Sequence, residues 1–156
     1  MGIAGEPEPT AAVARSFRRD IPVLQLRDDI FLRSLHRASA GPAFITFGVL
    51  GGALARLVGH VTADGSSRGR WHEEVGADCG DPEVAASFLL RAALRENSHG
   101  IVLFSTVRPS RMRSAAEVAQ ASRAPEDPAL DAFLRLVDVE LRPMTATKGA
   151  ADDTSG

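Results

Sequence analysis

The chain has 156 residues, 44% of them hydrophobic and 24% charged, a balance that predicts one compact soluble domain. Its 18 basic and 20 acidic side chains leave a formal net charge of -2, which excludes a global field drawing the protein onto nucleic acid or an anionic membrane and leaves only local basic patches. The single cysteine, Cys79, excludes an internal disulfide and a multi-cysteine zinc knuckle and points to a reducing, cytoplasmic setting.

Residues 1–15 and 145–156 are built from Gly, Ala, Pro, Glu, Asp, Ser and Thr and are expected to lack a fold, so the domain is placed at 20–144, with 1–19 and 145–156 as disordered segments. The stretch Met1 to Asp20 has no apolar run of signal-peptide length, and no window approaches the ~18 apolar residues of a membrane helix. Asp28-Asp29 ahead of Ile30, Phe31, Ser34, Leu35 and Ala38 predicts a short amphipathic helix, ended by Gly41-Pro42. Ala43 to Leu50 is apolar on both faces, as a central strand would be.

Leu54 to Ala63 alternates, Asp64-Gly65-Ser66-Ser67 has turn chemistry, and Arg68 to Val75 returns with Trp71 and Val75 inward; with Ala43 to Leu50 these two strands predict a three-strand meander. Asp81-Pro82-Glu83 is a helix start, with the helix running to about Asn97. Ile101 to Val107 follows as a second doubly apolar strand. Ser114 to Glu117 matches a capping box that would open a helix to about Arg123, Asp127 caps another to about Arg135, and Leu136 to Arg142 alternates as a final strand. The expected class is α/β, or α+β, with a mixed sheet flanked by helices.

Four histidines, His36, His60, His72 and His99, show no i, i+2 or i, i+4 spacing, and read as solvated or hydrogen-bonded side chains. Cys79 lies in an acidic loop that disfavours a thiolate, Ser105 and Thr106 have no histidine nearby in sequence, and Gly48, Gly51 and Gly52 lack the context of a phosphate-cradling loop. The most suggestive polar cluster is Arg108, Arg111 and Arg113, three guanidinium groups leading into the capping-box helix. The plainer reading is a solvated basic loop.

Pro82-Glu-Val, Arg91-Ala-Ala-Leu-Arg-Glu-Asn97, Ile101-Val-Leu-Phe and Ser114-Ala-Ala-Glu117 fall in an order, with Leu134 to Leu141 beyond, that resembles the JAB/MPN-type metalloprotease-like domain of the bacterial RadC family. The resemblance covers about 100 residues and implies that family's mixed-sheet, cytidine-deaminase-like architecture. It would put the two zinc-binding histidines at Ser105 and Val107 and the aspartate at Glu117. Valine cannot ligate zinc, and Ala40 to Ala43 offers no acidic general base, so the implied function is a catalytically inactive binding or scaffold module with no cofactor and no metal.

The expected site is Ser105, Arg108, Arg111, Arg113, Ser114 and Glu117, presented to a protein partner or an anion. Two alternatives stand beside it. One is a nucleic-acid or phosphate-binding accessory protein using the Arg108 to Arg113 loop. The other is a zinc-dependent hydrolase with non-standard ligands, His60 or His72 meeting Glu117 across the sheet.

Overall fold

A computed structural model describes residues 2–5, 23–37, 43–122 and 126–142. The segments expected to lack a fold lie outside these residues apart from Gly2–Gly5, and so does the Gly41-Pro42 stop. The elements are β1 (Gly2–Gly5), β2 (Val23–Arg27), α1 (Ser34–Arg37), β3 (Ala43–Phe47), α2 (Gly51–Val61), α3 (Gly65–Val75), α4 (Pro82–Glu96), β4 (Ile101–Val102), α5 (Pro109–Ala121) and α6 (Pro128–Leu136), followed by a π-helical turn at Val137–Leu141. The chain divides into two compact units, Met1–Gly51 with Leu89–Arg123 and Gly52–Phe88 with Ala124–Gly156.

The first unit is built on a sheet in which β2, β3 and β4 run parallel, extended by β1 beside β2. The class is therefore α/β, but the sheet is parallel and not mixed. Val23 pairs with Ala43 and Ile45 with Ile101, and the ladder continues past the strand ends through Asp28 N–H to the Phe47 carbonyl (2.9 Å) and Leu103 N–H to the Thr46 carbonyl (2.7 Å). Leu24 and Leu26 are buried from β2, and Leu89, Leu90 and Ala92 from the second half of α4.

A buried amide ties this unit together. Asn97, just after α4, directs Nδ2 at the carbonyls of Phe44 (3.2 Å) and Ile101 (3.1 Å) and at Thr46 Oγ1 (3.3 Å). Gly100 makes the close approach feasible, because a Cβ there would overlap both Asn97 Oδ1 and the Phe44 carbonyl oxygen.

The second unit is helical where a meander was expected. Leu54 to Ala63 lies mostly within α2, which buries Ala53, Leu57 and Val61, one residue per turn. Asp64 is the N-cap of α3, its carboxylate accepting the Ser67 N–H at 2.7 Å, and Gly76 closes that helix in the left-handed conformation at φ 76°. Arg68 to Val75 is thus helix and not strand. The expected final strand, Leu136 to Arg142, instead completes α6 and winds on as the π turn, with Arg142 N–H reaching the Val137 carbonyl at 3.1 Å. Trp71 meets Phe133 edge-on at 5.9 Å, and Phe88 stacks on Phe133 at 5.0 Å.

Helix starts follow their caps. Asp81 Oδ1 accepts the Glu83 N–H at 2.7 Å at the head of α4, and Asp127 accepts the Leu130 N–H at 3.1 Å at the head of α6. The helix expected from Asp28 is shorter: Asp29 Oδ1 instead accepts the Phe31 and Leu32 N–H groups in a turn, and Arg33, at φ 47°, precedes α1. Helix α5 opens at Pro109, so Ser114 is inside it and not its cap, with its hydroxyl turned back to the Ser110 carbonyl at 3.2 Å. No helix of the described residues is long and apolar enough to cross a membrane.

Candidate functional site

Strand β4 is the last in the sheet order and is shorter than the expected run to Val107: it ends at Val102, and residues 103–108 form neither helix nor strand. Ile101, Leu103, Ser105 and Val107 are exposed while Val102, Phe104 and Thr106 are half-buried, the alternation of a pleated strand. The outward row is unusually apolar: Ile101 is 55% exposed, Leu103 45% and Val107 98%. Thr106 Oγ1 then accepts the Arg108 N–H at 3.1 Å, turning the chain into α5.

Arg108 is the N-cap of α5 and makes no capping bond through its side chain. Pro109 has no N–H, and the first-turn amides of Ser110 and Arg111 have no carbonyl within the helix to bond. No residue of α5 is buried. Thr106, Val107, Arg108, Pro109, Met112 and Arg113 line an open cleft of about 400 Å³. Its lining is almost wholly apolar, with Arg108 and Arg113 among the side chains that border it.

Of the residues expected to form the site, the structure brings Arg108 and Arg113 to this cleft. Arg111 is exposed on α5 but does not line it, because side chains two apart on a helix diverge by roughly 200°. Ser105 is exposed on the segment ahead of the cleft, Ser114 is occupied with Ser110, and Glu117 is exposed one turn beyond Arg113. Among the described residues, Arg108, Arg111, Arg113 and Glu117 form no ion pair.

Two polar clusters lie where sequence reasoning saw none. In the second unit, Glu140 on the π turn accepts at its Oε2 from His60 Nε2 (2.9 Å), Trp71 Nε1 (3.1 Å) and Arg70 (2.8 Å), while Arg56 donates to the Leu141 carbonyl at 2.6 Å. Burial alone would raise the Glu140 pKa, but the bonds from His60 and Trp71 and the Arg70 charge bring it below its ordinary value. His60 and His72 are thus on helices, not strands, and His60 is bonded to Glu140.

The other cluster is at the carboxyl end of β2. Asp28 is buried and accepts the Ser34 N–H at 2.6 Å. Burial pushes its pKa up to about 6, Glu96 and Asp29 add to the rise, and the Ser34 N–H opposes it. Arg33 donates to His36 Nε2 at 2.5 Å, and the same nitrogen meets Glu96. Neither cluster had a signal in the sequence, since their partners are brought together from up to 80 positions apart.

Cys79 is fully buried, and burial first, then the Asp78 charge, pushes its thiol up to about 11. Among the described residues no three His, Cys, Asp or Glu side chains are grouped to hold a metal ion. No protein-family profile, curated protein or solved structure matches the chain.

Proposed function

We propose that this α/β chain is a catalytically inactive binding module that takes an acidic segment of a protein partner against the Thr106 to Arg113 cleft. The observation that carries the reading is the pair Arg108 and Arg113 set around apolar Val107, Pro109 and Met112, both arginines without an ion pair among the described residues. Two unneutralised guanidinium groups beside apolar surface favour a ligand with carboxylates and aliphatic side chains together.

The succession α4, β4, loop, α5 supports kinship with the RadC-type domain, while the parallel sheet and the helices over 51–75 speak against carrying over that family's architecture. Ser105 and Val107, at the positions the resemblance assigns to zinc ligands, are a weak donor and a hydrocarbon, which supports an inactive member. A cytoplasmic setting belongs to the same reading, supported by the one buried thiol.

The test is fluorescence anisotropy of a labelled hexapeptide alternating valine and glutamate, titrated with the full chain. Binding is expected to weaken about tenfold in an Arg108→Ala/Arg113→Ala double variant and to fade with salt. Equal binding by the double variant removes the proposal. A nucleic-acid role is less favoured because, among the described residues, no aromatic ring lines the cleft for bases to stack on. A labelled single-stranded oligonucleotide that binds with a steep salt dependence, where the peptide does not, would reverse that preference.

A further inference from the structure

We infer that the acidic segment enters as an added strand on the open edge of β4, pairing with the backbone of Val102 and Phe104 and leading its carboxylates to Arg108 and Arg113. The inference rests on the binding reading above and adds the mode of recognition. Its starting point is backbone direction. Leu103 gives its N–H to the Thr46 carbonyl at 2.7 Å, toward β3. Adjacent residues of a strand alternate in the direction of their amides, so Val102, the last residue of β4, sends its own the other way, and an added strand that prolonged the pairing would engage Phe104 in the same sense. No described strand lies on that side, because the sheet order ends at β4.

Edges of this kind are normally blunted by charge, proline or a covering element. Here Gly100 to Val107 holds neither a charged residue nor a proline. The outward side chains Ile101, Leu103 and Val107 offer an apolar row along which every second side chain of an added strand would lie. The charge comes only at the end of the run, where Arg108 and Arg113 stand without ion pairs among the described residues. An occupant matched to this surface is extended, aliphatic at alternate positions and acidic where it reaches α5. A second copy of this edge fits less well, since it brings arginines and no free carboxylate on the run itself.

The experiment uses the same valine–glutamate hexapeptide and two versions methylated on the backbone nitrogens of alternate residues, one for each parity. Methylation removes donors along one edge of the added strand and leaves side chains and charge intact. One parity is expected to weaken binding at least about tenfold while the other leaves it near the parent value. Amide exchange at Val102 and Phe104 in the full chain is expected to slow on adding the parent peptide. If both methylated peptides bind like the parent and these amides exchange unchanged, strand addition is overturned while the cleft reading stands. If the parent peptide does not bind, or binds the arginine double variant equally, both are overturned.

Discussion

Trp71 donates its indole N–H to Glu140 Oε2 at 3.1 Å, so the largest fully buried side chain of the second unit has its one polar atom answered by a carboxylate on the π turn. His60 and Arg70 converge on the same oxygen. This meeting of three donors accounts for an alternating segment leaving the strand pattern: only a helical turn delivers Glu140 to them while burying Val137 and Leu141, four residues apart.

Replacing Glu140 by alanine leaves the Trp71 N–H without its acceptor, and is expected to destabilise the protein by about 2 to 3 kcal/mol. Chemical denaturation followed by the fluorescence of Trp71 measures it, since this is the one tryptophan of the chain. Because the folded pKa of Glu140 is depressed, its contribution is present above the unfolded glutamate pKa and is lost as pH falls through the folded value. Acid titration of the unfolding midpoint should therefore be shallower in Glu140→Gln than in the parent.

Asp28 has the opposite sign. Its folded pKa of about 6 is above the ordinary 3.8, so the folded chain holds that proton more tightly and stability falls as pH rises from 3.8 to about 6. The difference corresponds to roughly 3 kcal/mol. Asp28→Asn keeps an oxygen for the Ser34 N–H and removes the buried charge. It is expected to raise the melting temperature above about pH 7 and to leave it near the parent below about pH 4. An equal shift at both pH values would contradict the burial argument.

Asn97 and Gly100 form the joint between α4 and the strands β3 and β4. Asn97→Leu would leave the Phe44 and Ile101 carbonyls without the amide, and Gly100→Ala would force its methyl into the Asn97 side chain and the Phe44 backbone. Each is expected to lower stability by about 2 kcal/mol. The double variant should lose less than the sum, because both disrupt one contact set. Thermal unfolding of the three variants checks this.

Cys79 should resist modification in the folded chain, being fully buried with its thiol pushed up to about 11. Labelling by a chromogenic disulfide at neutral pH is expected to be slow, and to become rapid and stoichiometric in concentrated guanidinium chloride. Fast labelling of the native protein would show that the loop 76–81 opens readily.

Local chemistry was legible wherever it is decided by neighbours in the chain. Asp81-Pro82 and Asp127-Pro128 start helices because the acceptor and the preset proline angle are adjacent to the amides they serve. Ala43 to Phe47 is a strand because it is apolar on both faces, and the Arg108 to Arg113 loop showed its charge directly. Residues 54–63, 68–75 and 136–142 carry a strand-like pattern in the sequence because their apolar residues satisfy a period of two as readily as a helical stripe. Ala53, Leu57 and Val61 recur every four residues, and Val137 and Leu141 do the same. Only tertiary packing decided between the two periods. In the second unit Trp71 had to meet Phe133, and Glu140 had to reach His60, 80 positions away in sequence. The cleft divides in the same way: the three arginines are written in the chain, but the rotation of the helix sets Arg113 toward the cleft and Arg111 away from it, with Arg108 joining from the residue before the helix.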